Sequence, residues 1–191
     1  ASAHVIFKHI SPGLEKVAFA TKSGMLSVER DGDLLVMDFP SRAPVPCPPP
    51  DGIADMLGVE PVETLSSRDL IAVVETEKQV RNLTPDLARI AALKWFAVSV
   101  TAPGDGCDFV SRFFAPGGGI PEDPVTGSVH CSLVPYWSAR LGKKNLHARQ
   151  VSPRGGELFL TDHGGRVAIG GQAAIYLTGT LAIPDELFRA G

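Results

Sequence analysis

Apolar residues of strand character gather over Lys16 to Thr21 and Met25 to Glu29, and again over Leu34 to Phe39 after the turn Asp31-Gly32-Asp33. Short apolar-rich runs joined by an Asp-Gly turn predict a small antiparallel meander. Ala1 to Lys8 read instead as the end of a helix, since no capping residue with a downstream Glu precedes them. Further on, the pattern predicts a short helix at Ile53 to Leu57 and a strand at Leu70 to Glu75. An amphipathic helix follows over Asp86 to Leu93, with Thr84 as its cap and Pro85 at its first position. Strands are expected at Trp95 to Thr101 and Cys107 to Ala115. From Val125 to Leu141 apolar residues cover much of a helical circumference, as in a helix enclosed by sheet, and Pro135 should bend or interrupt it. Four short strands then follow, at Leu146 to Val151, Glu157 to Thr161, Arg166 to Ile169 and Ala173 to Leu181. Glycine turns separate them at Gly155-Gly156, Gly164-Gly165 and Gly170-Gly171. The picture is α+β, with many strands around one buried helix.

Between Ala43 and Asp51 stand Pro44, Pro46, Pro48, Pro49 and Pro50, which suit neither a helix interior nor a central strand and predict a stiff extended linker. The 191 residues, 44% hydrophobic and 20% charged, suffice for a real core. A formal charge of −3 without a basic run argues against nucleic acid or an anionic membrane as partner and leaves a small metabolite. No apolar run approaches the roughly 20 residues needed to span a bilayer. Three cysteines, Cys47, Cys107 and Cys131, form neither a disulfide framework nor a zinc motif, so a reducing, cytoplasmic setting is expected.

Candidate chemistry concentrates in Pro121-Glu122-Asp123-Pro124-Val125-Thr126-Gly127-Ser128-Val129-His130. Asp123 before Pro124 is disfavoured from the α region, and proline suits a first helical position, so a helix should begin there with Asp123 near its cap. One explanation is capping alone. The other is a proton carrier beside an anion site, with Thr126, Gly127 and Ser128 presenting first-turn N–H groups and a hydroxyl. Glu122 could tune Asp123 only by facing inward, and a lone His130 on an apolar helix reads as a packing residue. Arg154, followed by Gly155 and Gly156, could fork onto a carboxylate or be the solvated flank of a hairpin. Gly117-Gly118-Gly119 lacks the Lys-Ser/Thr of a phosphate loop, and His130, His147, Asp162 and His163 match no metal-ligand spacing, so neither a cofactor nor a metal is expected.

Glu122 to His130 resembles the EDPxTGSxH signature of the PhzF-like, phenazine-biosynthesis-type isomerases. The resemblance extends through Asp38-Phe39-Pro40, Arg112-Phe113-Phe114-Ala115-Pro116, Gln150 to Gly156 and Gly170-Gly171. It implies a diaminopimelate-epimerase-like fold with two barrel-like halves, each wrapping strands around a central helix, and an active site in the cleft between them. It also implies cofactor-independent proton transfer on a small carboxylated substrate, as in isomerisation of a dihydro-hydroxyanthranilate. Asp123 matches the family's active-site aspartate and Ser128 its substrate-contacting serine. No cysteine stands in the Glu122 to Ser128 turn, unlike the cysteine pair of the diaminopimelate epimerases. The family's acid/base glutamate and its Gly-His-Ala-Thr helix start have no counterpart in these residues. The expectation is therefore a truncated chain that self-associates, for instance as a homodimer: residues 1–43 a remnant of the first unit, 44–52 the linker, 53–181 a complete second unit and 182–191 a tail.

Overall fold

The computed structural model describes residues 1–22, 24–180 and 182. The chain opens with a helical turn α1 (Ser2–Val5), continued by a wider π turn at Ile6–Ile10. The predicted meander follows as β1 (Lys16–Thr21), β2 (Gly24–Asp31) and β3 (Leu34–Pro40). Lys16 and Glu29 sit opposite one another across β1 and β2 and form an exposed ion pair. The proline-rich segment is not free: Val45–Pro46 is a two-residue strand, β4, at the far edge of the sheet, where a proline's missing N–H does no harm.

Next come α2 (Ile53–Leu57), β5 (Glu63–Ser66), β6 (Leu70–Val73), α3 (Glu77–Arg81) and α4 (Leu87–Ala91). Neither β5 nor α3 was expected, although Thr76-Glu77-Lys78-Gln79 carries a capping-box signature, and Thr76 and Gln79 form that box. The cap of α4 is Asp86 rather than Thr84: its carboxylate accepts from the N–H groups of Ala88 and Arg89, both at 3.1 Å. An ionised carboxylate there satisfies two orphan donors, and Pro85 falls outside the helix.

Strands β7 (Val98–Pro103) and β8 (Phe109–Phe114) lead through a 3₁₀ turn at Pro116–Gly118 into α5 (Gly127–Leu141), and β9 (Asn145–Gln150), β10 (Gly156–Asp162) and β11 (Arg166–Gly171) complete the order. Gly170-Gly171 is part of β11 rather than a turn. Residues 173–180 form no strand, and Leu181 and residues 183–191 of the expected tail lie outside the described residues.

Among the described residues eleven strands join one sheet in the order β1-β2-β3-β11-β10-β9-β8-β7-β6-β5-β4, parallel at β6/β7 and β8/β9 and antiparallel elsewhere. The meander is thus hydrogen-bonded to the rest through β3 and β11, and the proline-rich segment connects regions that also share a sheet. The sheet curls around α5, so that Leu65, Ile71, Phe109, Phe113, Leu158 and Ile169 from separate strands meet Val129, Leu133 and Trp137 of the helix. On the opposite face, Leu70, Ala72, Val98, Val110 and Phe114 pack against Ile53, Leu57, Val80 and Ile90. Alternation then buries every residue of β6 and β8, one set inward and the next outward.

Pro135 does not interrupt α5. Its missing N–H leaves the Cys131 carbonyl without its usual helical partner, and the Arg42 backbone N–H donates to that oxygen at 2.8 Å. The segment after β3 is thereby fastened onto the central helix.

Candidate active site

Arg112 is the one charged residue of the buried strand β8, and it requires a partner. Its Nε and Nη2 fork onto Glu122 at 2.7 and 2.8 Å, while Nη1 donates to the carbonyls of Leu83, Val80 and Arg81 at 2.9, 3.4 and 3.4 Å. The Arg112 side chain is 10% exposed and that of Glu122 18%, so the pair is a largely desolvated staple between the sheet and its outer helices. Glu122 faces inward but is committed to this fork.

Asp123 is positioned from its backbone, with its N–H donating to the Phe113 carbonyl at 3.0 Å, one residue beyond Arg112 in β8. Helix α5 starts later than expected: Gly127 is its first residue and Thr126 its cap. Pro124 therefore lies in the turn, and Asp123 does not cap the helix. Its Oδ2 accepts instead from the Thr126 hydroxyl at 2.6 Å.

Gln150, at the end of β9 and fully buried, holds this turn. Its Oε1 accepts from the Thr126 N–H at 2.7 Å, and its Nε2 donates to the Asp123 carbonyl at 2.5 Å and to Thr126 Oγ1 at 3.2 Å. A relay results, from the Gln150 amide to the Thr126 hydroxyl to the Asp123 carboxylate, and it fixes which oxygen of Asp123 is occupied. Oδ1 has no partner among the described residues, and Asp123 is only half-buried. Ser152 adds a further tie, donating to the Pro124 carbonyl at 2.9 Å.

Ser128 lies one step into the helix. Its Oγ accepts from Arg68 Nη2 at 3.1 Å and its carbonyl accepts from Arg42 Nη2 at 2.9 Å. His130 is fully buried; its Nδ1–H donates to the Thr126 carbonyl at 2.7 Å, and its ring lies 5.9 Å from that of Phe109. Burial pushes its pKa down to about 4, so it is a neutral packing residue that also secures the start of the helix. No side-chain bond caps α5, so the relay leaves the first-turn N–H groups of Gly127 and Ser128 to an outside acceptor.

Gly127, Arg154, Gly155 and Gly156 line a cavity of about 820 Å³ with Val125. Its other wall is the N-terminal region, through Ala3, Phe19, Leu26, Met37 and Phe39. Asp123, Thr126 and Ser128 are not among its walls, although Val125 and Gly127 flank Thr126 directly. Gly155 adopts a left-handed backbone at φ +69°, and a side chain on Gly156 would collide with Val125. Both glycines are therefore required by geometry. Arg154 is exposed and has no hydrogen-bond or ion-pair partner among the described residues.

The contributions of Arg112, Arg68 and Arg42 were not singled out from the sequence. A lone arginine in Phe109-Val110-Ser111-Arg112-Phe113-Phe114 is itself a signal, because such a charge folds inward only against a carboxylate. Arg68 and Arg42 gave no comparable sign. Among the described residues no three His, Cys, Asp or Glu side chains converge as metal ligands would, and no helix is long and apolar enough to cross a membrane.

The phenazine biosynthesis-like protein family matches residues 1–179 of this chain. An uncharacterized isomerase of Pseudomonas aeruginosa is 48% identical over 181 residues, covering 95% of this chain and 70% of its own. An uncharacterized isomerase of Halalkalibacterium halodurans is 35% identical over 189 residues, covering 96% and 71%. The crystal structure of a phenazine biosynthesis protein of the PhzF family from Enterococcus faecalis superimposes with a TM-score of 0.93 at 40% identity, over 95% of this chain and 70% of that one. The α+β, diaminopimelate-epimerase-like fold expected above is the fold shared with it.

Proposed function

The chain belongs to the phenazine biosynthesis-like family of isomerases, and we propose that it moves a proton on a small carboxylated metabolite without a cofactor. The observation that carries this reading is the Gln150–Thr126–Asp123 relay. It occupies one carboxylate oxygen and leaves Oδ1 open beside a helix start with unspent donors. In this reading Asp123 gives or takes the proton at Oδ1, and Ser128, with the backbone of Thr126 and Gly127, receives the ligand's acidic group. Arg154, Gly155 and Gly156 bound the adjoining cavity, with Arg154 supplying a free guanidinium. A proton removed at one position and returned at another needs a second carrier. That carrier belongs, on the resemblance, to a glutamate in the part of the family's length that this chain does not span. The cleft between two halves, divided at residues 44–52, is part of the same proposal.

Three free thiols support a reducing, cytoplasmic setting. Among the described residues strand β1 is the edge of the sheet, paired with β2, and this supports self-association as a homodimer; light scattering that gave a monomer at high concentration would count against it.

The test of catalysis is deuterium uptake from D₂O into a dihydro-hydroxyanthranilate by the full-length protein. Asp123→Asn should lower it by about 10²- to 10⁴-fold, with thermal unfolding unchanged. Full turnover by that variant would remove Asp123 from the mechanism.

A further inference from the structure

We infer that Arg68, locked by Asp69, is a positioning residue that commits Ser128 to donate its hydroxyl proton to the ligand's acidic group. This rests on the reading of the α5 start as a carboxylate site and adds to it the residue that orients its hydroxyl.

Arg68 precedes β6, in the turn after β5. Its Nε and Nη2 fork onto the Asp69 carboxylate at 3.0 and 2.9 Å, and its guanidinium carbon stands 5.1 Å from the centre of the Phe96 ring. The Asp69 side chain is 3% exposed and that of Arg68 39%, so a fixed carboxylate anchors a guanidinium at the surface. Fork and ring together set the plane of the guanidinium, and the same Nη2 reaches Ser128 Oγ at 3.1 Å.

A guanidinium has donors and no acceptor, so at this contact the serine oxygen can only accept. The hydroxyl proton of Ser128 must then point elsewhere, and it has no acceptor among the described residues. The neighbouring hydroxyls are already engaged. Thr126 donates to Asp123 and accepts from Gln150, and Ser132 pairs with Ser67 at 3.0 Å. The Ser67–Ser132 contact uses one of its two protons, and of the two hydroxyls at the helix start, Thr126 and Ser128, only Ser128 has a proton to offer. An oxygen acceptor fits that vacancy, and a group carrying only N–H donors does not.

Charge favours an acid in the same place. Asp69 balances Arg68, but Arg42, whose Nη2 donates to the Ser128 carbonyl, has no carboxylate partner among the described residues. Arg42 and the positive end of α5 therefore supply attraction for an anion, while Arg68 supplies direction. Without Arg68 the hydroxyl can rotate, and part of the ligand's affinity goes into fixing it again.

A double-mutant cycle tests this, using cyclohex-1-ene-1-carboxylate as probe and isothermal titration on the full-length protein. Arg68→Met keeps a side chain over Phe96 without donors, and it should weaken binding about five- to tenfold with unfolding temperature unchanged. Ser128→Ala should weaken binding at least as much, and Arg68→Met added to Ser128→Ala should then cost nothing further. Unchanged affinity in Arg68→Met, or losses that simply multiply in the double variant, would overturn the positioning role. If the unmodified protein fails to bind the carboxylate, or Ser128→Ala binds as it does, the carboxylate reading falls and takes this inference with it. The two failures are thus distinguishable.

Discussion

The region around α5 and the N-terminal meander are both built from short strands rich in apolar residues but reach different ends. Every residue of β6 and β8 is buried, whereas β1 and β3 contain no fully buried residue and β2 only Val28. The difference lies in what covers each strand. Strands β6 to β8 have α5 on one face and α2 to α4 on the other. The meander has α1 and its π turn, and its cluster of fully buried residues is only Ala3, Phe7 and Val28. Phe19, Leu35, Met37 and Phe39 stay half-buried and face the cavity. Apolar strands alone thus do not make a core: in one region they support the site's framework, and in the other they form an apolar cavity wall.

Substitutions can sharpen or break this contrast. The largest effect is expected at Trp137, which is 1% exposed, stacks on Phe109 at 5.5 Å and donates to Thr101 at 3.0 Å. Trp137→Ala should cost about 3–5 kcal/mol in chemical denaturation, and a loss below about 1 kcal/mol would mean that the sheet does not depend on its central helix.

The next effect is a pH dependence. Folded His130 stays neutral down to about pH 4, whereas an unfolded-chain imidazole takes a proton near 6.5. Between those values the unfolded state binds more protons, so stability is full above the window. It falls as the pH drops through it, by about 1.4 kcal/mol per unit, and the loss saturates below. His130→Gln keeps a donor for the Thr126 carbonyl but removes the titration, and its stability curve should be flatter between pH 6.5 and pH 4. Parallel curves would show that the imidazole is not held neutral under α5.

The smallest effect is expected at Val28, the buried residue of β2. Val28→Ala should cost about 1 kcal/mol, because half-buried neighbours can close around the gap. A loss matching that of Trp137→Ala would erase the distinction between the two regions.

Much of the framework was legible in the sequence. Short apolar runs bounded by turns located the meander and β8, the all-round apolar pattern of Val125 to Leu141 marked an enclosed helix, and the Glu122 to His130 signature pointed to the family. Where reading failed, two local signals competed or a distant partner decided. Thr84 with Pro85 looked like the cap of α4, but the charged carboxylate of Asp86 took the role. Asp123-Pro124 looked like a helix start until Gln150, 27 residues further on, bound the turn and delayed the helix to Gly127. Pro135 looked like a break until Arg42 supplied the N–H that its ring lacks.

Residue order alone was enough to find most of the strands, the helix that lies inside and the place where the reactive side chains cluster. Those depend on periodicity and on chemistry between near neighbours. Tertiary structure alone decided that Glu122 is spent on Arg112, that Thr126 rather than Pro124 opens α5, and that Arg68 and Arg42 meet at Ser128. Each of these is a contact across 10 or more residues of chain, with separations of 10, 24, 60 and 86. A hydrogen bond depends on direction and distance in space, and no local pattern encodes the partner that folding brings from elsewhere.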